Sequence, residues 1–287
     1  MTNKTRSVIF ILLSSLSFAL MSVFVKHLTR IPVLEKVFFR NLVSLVVTFL
    51  MFRKASGSFT GKKENRKYLI LRSLLGLTGV FLYFYAINNL YLADSAMLNK
   101  LSPFYVTLFA FFFLKEKIYK QHIVALVIVF LSALMIIKPR FDMSVLPSLA
   151  GFLSAICAGA AYTTVRYLGN QGEQPKTIVF YFSFISVIAI FPAMFFVFVR
   201  PTLIETLSLF AIGLFAAGGQ FGLTYAYKYA KASEVSIYNY TNIVFAAILG
   251  LSIWKEIPDI WSLIGSGIII LTSIFIFRFN NREKRDK

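Results

Sequence analysis

Cysteine and histidine are nearly missing from this chain: 287 residues hold one cysteine, Cys157, and two histidines, His27 and His122. A single cysteine closes no intramolecular disulfide, and so small a set assembles no Cys/His metal cluster. No metal or other cofactor is expected. Acidic residues are also scarce, 12 against 30 lysines and arginines. Charged residues of both signs make up 15% of the chain, where a soluble domain carries about a quarter. What takes their place is apolar: 58% hydrophobic residues, with a mean hydropathy of +0.74. The chain reads as a polytopic membrane protein in a lipid bilayer, with almost nothing left over for a soluble domain. The net charge of +18 could suggest a nucleic-acid partner. Its basic residues sit in short loops and near the ends, as membrane topology requires, so no nucleic acid is expected.

Apolar windows mark ten spans, near 7–27, 35–53, 68–89, 94–114, 120–138, 148–168, 177–199, 204–228, 234–254 and 260–278. Each is long enough to cross about 30 Å of hydrocarbon at about 1.5 Å per residue. The run after Lys4 and Arg6 is too long for a signal-peptide core and is kept as the first helix. Between spans lie turn residues: Pro32, Gly57, Gly61, Pro139, Gly169, Gly172, Pro201 and Pro258. With the N-terminus in the cytoplasm, the inner loops receive Arg53, Lys54, Lys62, Lys63, Arg66 and Lys67, and later Arg166, Lys176, Lys228 and Lys231. The outer face keeps few, among them Arg30, Lys36, Arg140, Arg200 and Lys255. That bias puts both termini in the cytoplasm.

The chain also repeats. A shift of 140 positions, without a gap, lays Leu13-Ser14 on Leu153-Ser154, Lys26 on Arg166, and Gly79 and Phe81 on Gly219 and Phe221. In the same frame Tyr85-Ala86 meets Tyr225-Ala226, Asp94 meets Glu234, and Lys115-Glu116 meets Lys255-Glu256. Greasy sequences match by chance, but their charges and tyrosines do not hold one frame by chance. Two repeats of five spans, 1–139 and 140–287, must enter the membrane from opposite faces, because five is odd. Inverted repeats are an architecture of secondary transporters, with the substrate site near the midplane between halves. The expected fold class is therefore an all-α integral membrane protein of ten transmembrane helices in two inverted five-helix repeats.

The segments YAINNLYLADSAMLNKLSPFYVTLFAFFFLKE (85–116) and YAYKYAKASEVSIYNYTNIVFAAILGLSIWKE (225–256) resemble the drug/metabolite transporter superfamily, and within it the EamA-type family. The likeness covers nearly the whole chain. It implies a bacterial inner-membrane transporter with a central cavity lined by both halves. It does not specify the substrate, since members of that superfamily carry amino acids, other metabolites, nucleotide conjugates and drugs.

The residues themselves suggest where a site would be. Lys100 stands mid-span beside Asn99, Ser102 and Pro103. A charge at that depth costs on the order of 3 kcal/mol, which is borne when it faces a cavity or a partner. A structural ion pair or snorkelling is the alternative, but Lys100 is too deep to snorkel easily. Arg40, with Asn41, lies just inside the second span, where a guanidinium can grip a carboxylate in two parallel hydrogen bonds. Anchoring at the interface is its alternative reading. Asn99, Gln220, Asn239 and Asn242 must each find a partner in apolar surroundings, either as glue between helices or as cavity lining. Tyr85, Tyr225, Tyr238 and Tyr240 could line a site or pack. Glycines 76, 79, 218, 219 and 222 read as close-packing positions, and Pro103 as a bend beside Lys100. Glu116 and Glu256 are expected to pair with Lys115 and Lys255 at helix ends.

The candidate substrate-binding set is thus Lys100, Arg40, Asn41, Asn99, Tyr85, Gln220, Tyr225, Tyr238 and Asn242. The function expected is alternating-access transport of a small metabolite, anionic or zwitterionic, such as an organic acid or an amino acid. An exporter of neutral or hydrophobic amino acids or drugs is the alternative, and a receptor or scaffold without transport a distant one. A membrane enzyme would need a nucleophile with its base, a metal cluster or paired carboxylates at depth, and no such set stands out. A homodimer is left open.

Overall fold

A chain crossing hydrocarbon must satisfy its backbone hydrogen bonds internally, and this one does so with helices. A computed structural model describes residues 3–54, 59, 61–115, 119–137, 145–229 and 236–283. The helices are α1 (Asn3–His27), α2 (Val33–Lys54), α3 (Arg66–Asn89), α4 (Leu92–Asn99), α5 (Ser102–Leu114) and α6 (Lys120–Ile137). There follow α7 (Leu146–Asn170), α8 (Pro175–Met194), α9 (Leu203–Tyr229), α10 (Thr241–Trp254) and α11 (Ile260–Glu283). No strand occurs among the described residues.

Eight of the expected spans are helices long and apolar enough to cross a membrane, with α4 and α5 counting together as one. The other two are atypical. Every 18-residue window of α2 holds three charged side chains. The segment 236–254 has only 14 residues of α-helix, preceded by the 3-10 turn Ser236–Tyr240.

The extensive packing is between the halves of the chain. Helix α1 lies on α9 and α3 on α7; α2 lies on α8 and α9, α6 on α11, and α4 on α10. Exchanging the repeats turns the α1–α9 contact into α7–α3, α2–α9 into α8–α3, and α5–α7 into α10–α1, so the main contacts other than α4–α10 map onto one another. Contacts within one half are sparse. Neither half has a core of its own. Residues 1–139 expressed alone are therefore expected to aggregate or be degraded, and co-expression with 140–287 to recover a folded complex. A monodisperse, thermally stable 1–139 on size-exclusion chromatography would contradict this.

Glycine permits one of these close approaches. A Cβ on Gly219 of α9 would stand 2.8 Å from the Phe18 ring of α1. Beside it the Ser14 hydroxyl donates to the Gly219 carbonyl at 2.5 Å, so backbone and side chain are bound at the same level.

Both halves are interrupted at the same place. Helix α4 stops at Asn99, and α5 begins at Ser102 with Pro103 in its first turn. Proline has no N–H to bond the Asn99 carbonyl, so the helix restarts instead of bending. In the second half the 3-10 turn ends at Tyr240, which the shift of 140 pairs with Lys100. The helices after each break end alike, on left-handed Lys115 (φ 55°) and Lys255 (φ 57°).

That left-handed turn corrects one expectation. Glu256 does not pair with Lys255, which is exposed. The chain reverses at Lys255 and delivers Glu256 to Lys26 of α1, with which it forms an ion pair, while its other oxygen accepts the Leu92 N–H at 2.8 Å. Lys26 also donates to the Leu90 carbonyl at 2.6 Å. At the same end Arg30 pairs with Glu205 and donates to the Arg200 carbonyl at 3.1 Å. The bond to Glu205 raises the exposed Arg30 guanidinium further above its ordinary value. At the opposite end Glu173 accepts the Lys62 N–H at 2.8 Å and the Asn65 amide at 2.9 Å. Glu116 lies outside the described residues.

Candidate functional site

Between the two tied ends is a cavity of about 100 Å³ lined by both halves. Its charged lining is Arg40, Arg72 and Lys100, with no acidic residue among the described lining residues. Arg40 and Arg72 stand about two helical turns in from the starts of α2 and α3, and Lys100 stands at the break just after α4. Asn99, Gln220, Asn242, Tyr83 and Tyr162 supply neutral polar groups, and Phe18, Met21, Val80, Phe84 and Phe182 the apolar wall.

The two arginines converge on one ring. The Arg72 guanidinium carbon lies 4.0 Å from the Phe182 centroid, and that of Arg40 lies 5.1 Å from it. Both arginines are buried, 4% and 5% exposed. A desolvated cation–π contact contributes about 2 kcal/mol. Taking an ion out of water still costs several kcal/mol, so the ring offsets only part of the burial. Asn41 orients Arg40: its Oδ1 accepts from Arg40 Nη1 at 2.8 Å, and its own amide donates to the Val37 carbonyl at 2.8 Å. Buried and without a hydrogen-bond partner remain Arg40 Nε, Arg72 Nε and Arg72 Nη1. Gly76 makes the arrangement fit, because a Cβ there would stand 2.9 Å from the Phe182 ring and 3.1 Å from Arg72 Nη1.

Lys100 approaches from the broken helix, where its ammonium reaches, among the described residues, the Asn239 Oδ1 at 3.4 Å. Asn99 beside it donates to the Ser154 hydroxyl at 3.2 Å, and Asn242 donates to the Ser15 carbonyl at 2.8 Å, so both amides are held in place. Tyr83 is within 3.3 Å of the Ser22 hydroxyl.

A model of the EamA-like transporter family matches residues 5–138 and 146–278. This chain belongs to the EamA-like transporter family. The pseudopaline exporter CntI of Pseudomonas aeruginosa is 34% identical over 274 residues, 94% of this chain and 95% of that one. The S-adenosylmethionine uptake transporter of Rickettsia bellii is 28% identical, over 92% of this chain and 91% of its own length. Human solute carrier family 35 member G1 is 28% identical, over 92% of this chain and 76% of its own. A solved crystal structure shares the fold, with a TM-score of 0.67 at 15% identity, covering 97% of this chain and 98% of its own. The protein is an integral membrane transporter of small molecules.

In this EamA-like chain, Arg40, Asn99, Lys100, Gln220 and Asn242 of the residues singled out from the sequence line the one cavity. Asn41 stands behind Arg40. Tyr85, Tyr225 and Tyr238 do not line the cavity. Tyr225 stacks on Phe10 with centroids 5.6 Å apart, and Tyr238 packs on the cluster of Ile11, Leu223 and Ala226. Both sit toward the first turns of α1: helical spacing turns Tyr225 away from Gln220 on α9, and Tyr238 belongs to the Ser236–Tyr240 turn. Arg72, Tyr83, Tyr162 and Phe182 enter the lining without having been singled out. For Arg72 a signal exists, a lone arginine inside an apolar span, as at Arg40.

Proposed function

We propose that the protein carries a small anionic or zwitterionic metabolite across a bacterial cytoplasmic membrane by alternating access, around the cavity between two inverted five-helix halves. The observation that carries this reading is a cavity between the halves with three cationic side chains and no acid among its described lining residues. A positive pocket favours negative charge on its occupant, and the apolar wall takes the remainder. The basic loops favour a cytoplasmic location for both termini. Alternating access would break the Lys26–Glu256 and Arg30–Glu205 ties at one end and the Glu173 ties at the other, in turn. A 34% identical relative that is an exporter favours outward movement.

The test is flux in proteoliposomes. Wild-type protein should move labelled organic anions or amino acids, and Lys100→Gln should lower the initial rate by about tenfold or more, the weight of one buried charge-assisted contact. Flux of neutral solutes alone, unchanged in Lys100→Gln, would overturn the anionic reading.

A further inference from the structure

The cationic lining is divided. Arg40 and Arg72 share the Phe182 face, two like charges over one ring with three buried nitrogens unpartnered. Lys100 projects from the break between α4 and α5 and, among the described residues, makes one long contact, to Asn239. A quadrupole fixes the plane of a guanidinium but accepts no hydrogen bond in that plane, so Phe182 positions the arginines without satisfying them. Tyr162 lines the same cavity and adds a hydroxyl. A planar carboxylate has two oxygens in the spacing that guanidinium N–H groups bond best, and its charge separates the two cations.

Resting on the reading of an anionic substrate, we propose that the substrate is a short dicarboxylate. One carboxylate is held by Arg40 and Arg72 against Phe182, and the other by Lys100. A single carboxylate would leave one of these groups as an unpaired buried cation. Two satisfy both and still leave the occupied cavity positive. The volume, about 100 Å³, suits a compact molecule and lies below the roughly 300–1,000 Å³ of drug-sized pockets. Gly76 narrows the tolerance, since the space that a side chain would take there belongs to Phe182 and Arg72.

Thermal unfolding of the purified full chain tests this with matched acids: succinate, glutarate and adipate against butyrate, valerate and hexanoate, with 4-aminobutyrate as a zwitterion. Ligands that bind only the folded state raise its melting temperature according to concentration over affinity. One dicarboxylate length should stabilise at a concentration at least tenfold below its monocarboxylate counterpart. That preference should vanish in Arg72→Lys, which keeps the charge but loses the fork, and in Lys100→Gln. Equal stabilisation by mono- and dicarboxylates overturns the proposal while leaving an anionic substrate standing. A dicarboxylate preference that survives in both variants also overturns it. Stabilisation by neutral solutes alone overturns the anionic reading and this one with it. Should either variant fail to fold, the wild-type comparison of matched acids decides.

Discussion

Arg72→Met should make the ligand-free protein more stable and transport-dead. Arg72 is buried with two nitrogens unpartnered, and Arg40 shares its ring. Exchanging buried ionic groups for apolar side chains of similar volume gains about 1–4 kcal/mol in favourable cases. Methionine is unbranched and adaptable enough to lie along the arginine's path beside Gly76. The lost contact to Phe182 offsets about 2 kcal/mol of that gain, so the expected net is a rise of about 1 kcal/mol. That corresponds to roughly 2–4 °C in melting temperature for a chain approaching this size. Two measurements are needed, unfolding in the absence of ligand and flux in proteoliposomes. A lower melting temperature in the variant would mean that the charge is already compensated within the protein, and that Arg72 is structural.

Glu256→Ala should act in the opposite sense. Glu256 closes three elements together, pairing with Lys26 of α1 and accepting the first N–H of α4 while standing just beyond α10. Both side chains of the pair are mostly buried, 13% and 10% exposed. Removing one partner strands the other, and such losses run to about 3–5 kcal/mol. Lys26 keeps the Leu90 carbonyl and lies 5.5 Å from the Trp254 ring, which places the expected loss at the lower end, about 3 kcal/mol. Lys26→Met with Glu256→Met should recover most of it, because neither charge is then left unpaired. The reversed pair, Lys26→Glu with Glu256→Lys, should recover less, since a lysine at 256 cannot accept the Leu92 N–H. If Glu256→Ala melts with the wild type, the pair contributes nothing to the fold.

Much of this architecture is open to a reading of the residues, and the reason is the severity of the solvent. Hydrocarbon leaves so few choices that a charge inside a span stands out, which is how Lys100 and Arg40 come to notice. Arg72 escapes because Lys62, Lys63, Arg66 and Lys67 precede it closely, and a basic loop makes one more arginine look like topology. Phe182 and Tyr162 escape for a different reason: in a chain with 32 phenylalanines and 14 tyrosines, a cavity wall and a packing surface have the same composition. Tyr225 and Tyr238 mislead because the repeat frame shows which residues correspond but not which face of a helix meets the cavity. The pairing of Glu256 with Lys26 depends on a backbone turn at Lys255 that a side-chain pattern does not display. The ungapped frame does carry most of the exchange symmetry of the packing, since α1, α2, α3, α5 and α6 meet the partners that their repeat counterparts predict.

The interleaving of the halves has a consequence for descent. A five-helix chain whose main contacts lie all in its partner could have existed only as a pair, so a half-length ancestor would have been a dimer of identical subunits. Such a dimer duplicates every residue of its site. Positions 40, 72 and 100 would have recurred in the second subunit and doubled the positive charge of the cavity. In the present chain the corresponding positions are Phe180, Ile212 and Tyr240. The cationic set thus stands in one half alone, although the main contacts between the halves keep their exchange symmetry. Substrate preference in such a lineage can drift by changing one half at a time, with the fold held constant by the other.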